Sequence, residues 1–109
     1  MNASPVPMQS LWTWESHHIG WSVVGDQTAP TAVLLIHGFG ANTNHWRFNQ
    51  PVLAKQVPTY AIDLLGFGRS DQPQARLNDE PATEKTVHYC FDVWAQQVAD
   101  FCHDVIDRP

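Results

Sequence analysis

Two apolar runs of strand-forming residues constrain the fold of this chain more than any other feature. Residues 31–36 form a continuous β-branched and leucine run, and residues 57–62 form a second run of similar length. Side chains that are apolar at successive positions require cover on both faces of a strand, which is typical of parallel strands inside a sheet. Pro51, between the runs, suits the first turn of a helix and predicts a short helix over residues 51–56.

The remaining segments predict an antiparallel edge hairpin and a long final helix. Residues 11–15 and 19–24 are short Trp- and Val-bearing stretches that favour an antiparallel pair. Residues 1–10 hold two prolines and no periodicity, so we interpret them as a tail. Asn42 and Thr43 are suited to cap a short helical segment. The order of elements predicts an α/β fold, with the hairpin at one edge and parallel strands with helices after it.

An amphipathic pattern predicts a helix over residues 88–107. Apolar side chains recur there at steps of three and four residues, at Phe91, Trp94, Val98, Phe101 and Val105. We expect Phe91, Trp94 and Phe101 to lie in the core. Cys90 and Cys102 would then be too far apart on one helix for a disulfide, which predicts two reduced core thiols and a cytoplasmic protein.

Composition excludes several classes of protein. The 109 residues include 6 Lys and Arg against 11 Asp and Glu, a formal net charge of -5 at pH 7, which disfavours nucleic acid and anionic membranes as partners. The longest apolar run, residues 32–36, is far shorter than the ~20 residues of a membrane span. The pair His17 and His18 is not expected to bind a metal, because adjacent strand residues point to opposite faces.

Two loops follow the predicted parallel strands at the edge where α/β sheets bind ligands. The first contains His37-Gly38-Phe39-Gly40, and the second follows the pattern Asp63-x-x-Gly66-x-Gly68-x-Ser70. In this order, 26 residues apart with a helix between them, the loops resemble those of the α/β-hydrolase superfamily. Among its branches, the chain is most similar to pheophytinase-like members and to those like epoxide hydrolases and haloalkane dehalogenases. The family's sheet order implies that residues 31–36 form the outer strand.

The resemblance assigns roles to the first loop. It implies that the main-chain N–H of Phe39 is an oxyanion donor, and that Gly38 and Gly40 let the backbone approach substrate with positive φ. His37 is expected on the substrate side, where it orients the loop through hydrogen bonds. Trp46 is expected either to face the substrate pocket or to pack under the loop. An apolar substrate is implied by the side chains expected at the mouth: Phe39, Trp46, Leu64, Leu65 and Phe67.

Other catalytic parts of the family pattern are absent from the sequence. The family's nucleophile lies on a G-x-S-x-G elbow, followed by an acid and a histidine. The serines are at positions 4, 10, 16, 22 and 70, and Ser70 matches the second loop instead of the elbow. Asp63 is expected to have a structural role. The first loop also departs from G-x-G-x-x-G, so a nucleotide-binding domain is disfavoured.

We therefore expect residues 11–109 to be the N-terminal portion of an α/β-hydrolase domain, truncated before the nucleophile strand. The complete protein would hydrolyse a small apolar, ester-type substrate with a Ser or Asp nucleophile and without metal or organic cofactor. The 109-residue chain alone is predicted to be inactive. The alternative is a non-catalytic truncated product, or a split half that works only with its C-terminal complement.

Overall fold

A computed structural model describes residues 8–38, 41–76 and 86–109, and a hairpin opens its sheet. Strands β1 (Met8–Trp14) and β2 (His17–Val24) pair antiparallel, as predicted. The strands are longer than expected because a two-residue turn with positive φ at both positions, Glu15 and Ser16, keeps the ladder continuous. Residues 8–10, predicted as tail, pair with residues 21–23 and therefore belong to the sheet.

The predicted parallel pair is confirmed, and so is its place in the sheet. Strand β3 (Val33–Ile36) pairs parallel with β4 (Thr59–Ile62), and β4 pairs antiparallel with β2. The strand order is β1-β2-β4-β3, so β3 is the outer strand. All residues of β4 are buried, which explains the apolar run. The α/β fold class inferred from sequence is correct.

Helices cover both faces of the sheet. Asn42 caps a 3-10 turn at Thr43–Trp46, as predicted, and α1 (Asn49–Leu53) follows. The helix predicted over residues 51–56 begins two residues earlier. The first four residues of a helix need no N–H donor, so Pro51 is tolerated at any of these positions. Helix α2 (Phe91–Phe101) continues through a π turn at Cys102–Ile106. No helix among the described residues is long and apolar enough to cross a membrane.

The segment predicted as one long loop, residues 64–85, contains part of a second small sheet. Strands β5 (Gln74–Ala75) and β6 (Thr86–Val87) pair parallel over two residues each. Side-chain periodicity cannot indicate strands this short. The pairing depends on main-chain bonds, among them one from the Arg76 N–H to the carbonyl of Val87.

An aromatic cluster forms the core between the sheet and α2. The Phe101 ring, fully buried, lies 5.4 Å from Trp12, 5.7 Å from Trp21 and 6.3 Å from Tyr60, centroid to centroid. Trp94 is also buried, so two of the three core predictions for α2 are confirmed.

The prediction that Phe91 lies in the core is wrong, and so is the prediction that both cysteine thiols do. Phe91 is 77% exposed because the first residue of α2 lies beyond the sheet that buries Trp94. Cys90 and Cys102 flank α2, and neither belongs to the core.

Buried amide side chains join α1 to the sheet and α2 to the loop that follows β4. From α1, Gln50 donates to the carbonyl of Thr59 at 2.9 Å and contacts the Ser22 hydroxyl. From α2, the Gln97 side-chain oxygen accepts from the Leu65 N–H at 3.0 Å. Helix α1 therefore lies on the Ser22 face of the sheet, and α2 on the opposite face, with Trp21 and Tyr60.

Asp63, directly after β4, connects the two loops at the carboxyl ends of the parallel strands. Its fully buried carboxylate accepts from the Thr43 N–H at 2.7 Å and from the Arg69 N–H at 3.1 Å, and the Arg69 side chain lies 3.8 Å away. A Cβ built on Gly68, which has φ +56°, would lie 2.5 Å from this carboxylate. The close approach of the second loop therefore requires glycine.

The outer edge of β3 is open in the described part of the chain. The main-chain N–H and C=O groups of successive strand residues point to opposite edges of the strand. The N–H of Val33 donates to Pro58, so the main-chain groups of Val33 point toward β4 and those of Leu34 point outward. Ile36 is 45% exposed, and no residue of β3 is charged. An uncharged apolar edge of this kind is a template for strand addition.

We predict that Gly68→Ala destabilises the fold strongly, whereas Gly38→Ala does not. Alanine at position 68 would combine a left-handed backbone, costing about 1–2 kcal/mol, with overlap against Asp63. A Cβ at Gly38 meets no atom within 4 Å, so its effect should stay within about 0.5 kcal/mol. Urea unfolding of each variant beside the unsubstituted protein measures both changes, and equal losses of stability would contradict the packing described for Asp63.

We also predict that the isolated chain self-associates or lacks a single cooperative unfolding transition. Poor cover over three or four apolar side chains costs several kcal/mol at about 1.5–3 kcal/mol each, against a domain stability of about 5–15 kcal/mol. Size-exclusion chromatography and chemical denaturation test this. A monomer with one cooperative transition would show that 109 residues close their own core.

Candidate functional site

The candidate site lies at the carboxyl ends of β3 and β4. Since the two strands are parallel neighbours, the loops that follow them leave at the same edge of the sheet. Residues 37–46 form the first loop and residues 63–71 form the second. The loops are held together by Asp63 on one side and by His37 on the other.

His37 connects the loops through both nitrogens of its buried ring. Nε2 lies 3.0 Å from the main-chain N of Leu64, and Nδ1 lies 2.7 Å from the carbonyl oxygen of Gly38. An N–H group only donates, so Nε2 is the acceptor, and the ring proton on Nδ1 is donated to Gly38. Both nitrogens are engaged, which fits the orienting role and leaves neither nitrogen to act as a base. The ring edge also packs against Phe67, at 5.5 Å between centroids.

The glycines of the first loop are described only in part. Gly38 is exposed, and it does not take the positive φ that we expected of it; a side chain there would meet open space. Its carbonyl accepts from the Ala41 N–H at 3.2 Å, which brings residues 38 and 41 together. Phe39 and Gly40, the expected oxyanion donor and its neighbour, lie outside the described residues. Their roles stay predictions.

Trp46 lies in the 3-10 turn, away from the apolar groove described next. The ring is partly buried, and its edge contacts His45 at 4.8 Å between centroids. The indole Nε1 is buried and has no hydrogen-bond partner among the described residues. The two placements left open by sequence, facing the substrate pocket or packing under the loop, stay predictions.

An apolar groove opens beside Gly38. Its volume is about 550 Å³, and it lies between the end of β3, the second loop and one face of α2. The described residues lining it are Ile36, His37, Gly38, Leu64, Phe67, Phe91, Trp94, Ala95, Val98 and Ala99. Of the side chains predicted at the mouth, Leu64 and Phe67 line the groove, whereas Leu65 is buried in the core.

Sequence reasoning missed the contribution of α2 to this groove. Phe91, Ala95 and Val98 follow the spacing of one helix face, and that spacing was interpreted entirely as core. The signal that separates the two faces is Gln97, fully buried beside Trp94. A glutamine that packs against the sheet places Phe91 and Ala95 on a different side of the helix.

The described residues contain no activated nucleophile. Ser70 is buried, donates to the carbonyl of Asp63 and accepts from the Gly20 N–H at 2.9 Å, so it fixes the second loop to β2. No group of three or more His, Cys, Asp or Glu side chains in the described ranges is arranged to hold a metal ion. Near the second loop, burial raises the pKa of the Tyr89 phenol, which donates to the carbonyl of Pro73. What the site offers is main-chain geometry beside an apolar groove.

Comparisons with known proteins agree with this architecture. Residues 31–107 match the model of the alpha/beta hydrolase fold family. The chain is 38% identical over 65 residues to the rat protein named 1-acylglycerol-3-phosphate O-acyltransferase ABHD5, an alignment covering 60% of this chain and 16% of that protein. The chain thus spans about a sixth of this curated relative.

Two solved structures are similar over most of the chain. A bacterial membrane phospholipase A superimposes with a TM-score of 0.76 at 27% identity, over 91% of this chain and 28% of that one. Haloalkane dehalogenase DbeA-M1 from Bradyrhizobium elkanii gives 0.74 at 21% identity, over 91% and 29%, which shows the shared fold. With its sheet order, its two loops and the family match over residues 31–107, this chain belongs to the α/β-hydrolase fold family.

Proposed function

We propose that this chain is the N-terminal portion of an α/β-fold hydrolase and supplies the loop that stabilises the oxyanion. The observation that carries the proposal is the double connection of the first loop to the second. His37 bonds to Gly38 and Leu64, while Asp63 bonds to Thr43. The described residues on both sides of position 39, Gly38 and Thr43, are thereby tied to a buried framework. Preorganised donors of this kind are what stabilises a developing oxyanion.

The proposed substrate is a small apolar ester. The groove beside Gly38 is lined almost entirely by apolar side chains, among them Leu64, Phe67 and Phe91. Such a surface favours an acyl chain over a charged group. The names of two similar proteins, an O-acyltransferase and a phospholipase A, concern acyl groups on oxygen and support this choice.

The proposed mechanism divides the catalytic parts between this chain and a C-terminal complement. The Phe39 N–H would be one of two donors to the oxyanion, and such a donor contributes about 2.7–4 kcal/mol to transition-state stabilisation. The complement would supply the Ser or Asp nucleophile, the acid and the histidine base. In this scheme neither a metal nor an organic cofactor takes part, and the protein acts in the cytoplasm.

A second candidate is a non-catalytic product, or a split half that depends on its complement. The hydrogen bonds of Ser70 and His37 leave neither group available for catalysis within this chain, which agrees with this candidate as well as with the first. Reading the coding sequence onward from Pro109 for an in-frame G-x-S-x-G or G-x-D-x-x-G segment discriminates the two candidates. Such a segment supports the hydrolase, and its absence supports the non-catalytic product.

We predict no hydrolase activity for the 109-residue chain alone. An oxyanion loop without nucleophile and base has nothing to act with, so purified chain should not hydrolyse activated short- and medium-chain esters above background. Turnover that survives repurification and elutes with the protein would contradict the proposed division of the site.

In the complete protein, we predict that Gly40→Val lowers kcat far more than Phe39→Leu. Leucine keeps the main-chain N–H donor, whereas a β-branched residue at position 40 restricts the backbone that aims it. Steady-state kinetics on both variants, with unfolding curves as a control for folding, give the comparison. A larger loss of kcat from Phe39→Leu would show that the side chain, not the backbone, carries the function.

A further inference from the structure

The C-terminal segment turns sharply after α2 toward the outer strand of the sheet. The π turn ends at Asp107, whose left-handed backbone (φ 50°, ψ 42°) reverses the chain. Aspartate is among the residues that tolerate this conformation best after glycine. Arg108 and Pro109 then run beside the segment that leads into β3.

Arg108 anchors this segment through every part of its side chain. Nε donates to the carbonyl of Ile106 at 3.2 Å, and Nη2 donates to the Tyr60 hydroxyl at 2.6 Å. Nη1 donates to two carbonyls, that of Gln27 and, at 2.9 Å, that of Ala29. The guanidinium also lies 5.8 Å from the Tyr60 ring centroid. Its partners belong to the turn before β3, to β4 and to its own segment. The planar guanidinium of arginine reaches several separate acceptors at fixed angles, which the single ammonium group of a lysine cannot do.

The anchored segment already makes one bond to the open edge. The Ala32 N–H donates to the main-chain oxygen of Pro109 at 2.7 Å. The main-chain groups of Ala32 and Leu34 point to the same, outer edge of the strand, whereas those of Val33 point toward β4. The bond from Ala32 to Pro109 therefore has the geometry of the first rung of a parallel ladder.

We propose that Arg108 is the positioning residue that sets the direction and register of a parallel strand added to the outer edge of β3. The proposal rests on the proposed function, because the strand belongs to the C-terminal complement. Continued from the rung at Ala32, the ladder would place the second residue after Pro109 opposite Val33 and the fourth opposite Leu35. The added strand would be uncharged and apolar, to match the open edge and the groove beside Ile36.

Amide hydrogen exchange resolved by residue in the dilute 109-residue chain tests the role of Arg108. Three neighbouring amides report separately: Ala32 bonds to Pro109, Val33 bonds to Pro58, and Leu34 faces the open edge. In the wild type, Ala32 should exchange about tenfold or more slowly than Leu34. In Arg108→Met, Ala32 should exchange as fast as Leu34, while Val33 keeps its wild-type protection.

Two further variants separate positioning from general stability. Tyr60→Phe removes one acceptor and keeps the ring, so protection of Ala32 should fall only in part. Arg108→Lys keeps the charge but loses the fork, so it should resemble Arg108→Met. An equal loss of exchange protection at the amides of Ala32 and Val33 would show a merely structural role for Arg108 and overturn the proposal.

The remaining outcomes are also decisive. Rapid exchange at Ala32 in the wild type would mean that the rung does not form. Equal protection of Ala32 and Leu34 that persists in Arg108→Met would indicate pairing between copies of the chain, which also overturns the proposal. Exchange does not depend on catalysis. A protected Ala32 in a protein whose complemented form lacks esterase activity would contradict the proposed function alone.

Discussion

The buried carboxylate of Asp63 is the constraint on which the rest of the site depends. A carboxylate without solvent must be surrounded by donors, because an unpaired buried charge is strongly destabilising. Thr43 and Arg69 supply these donors from two different loops, so the loops cannot separate without exposing the charge or leaving it unpaired. Space for the carboxylate comes from Gly20 and Gly68, where a Cβ would come within 2.9 Å and 2.5 Å of it. The charge of Asp63 thus explains Gly68, whereas the first glycine of the pair, Gly66, has φ +97° and lies against the Tyr89 ring.

From this constraint follows a site whose described backbone is held by polar side chains. His37 adds a second connection, since its two ring nitrogens bond to Gly38 and to Leu64. The polar side chains at the carboxyl ends of β3 and β4 are used to hold main chain. That division explains why the titratable residues near the groove are poor candidates for chemistry.

Sequence reasoning succeeded where one physical effect dominates and failed where two compete. Strands β3 and β4 were predictable because β-branched and apolar residues dominate both segments, and the family's order left β3 as the outer strand, although its side chains are only half-buried or exposed here. Phe91 was misplaced because one side of α2 lines an apolar groove and another side packs in the core. In the sequence, the apolar residues of both sides merge into a single broad stripe. Gly38 was misjudged because a glycine after a strand does not reveal its φ. Gln50 and Gln97 were missed since burial of an amide depends on acceptors and donors far away in sequence.

The distribution of apolar surface also explains what kind of cover the open edge requires. Side chains of β3 alternate between the two faces: Leu34 and Ile36 share the α2 face with Tyr60 and Ile62, whereas Val33 and Leu35 share the α1 face. A strand added at this edge satisfies outward main-chain groups such as those of Leu34, but it leaves the groove beside Ile36 open. The side chains of β3 itself are half-buried or exposed, so its two faces need further apolar cover as well as a paired edge. A lone added strand would therefore be less stabilising than a complement that brings its own helices, because hydrogen bonds contribute about 1 kcal/mol each while each buried aliphatic side chain contributes about 1.5–3 kcal/mol.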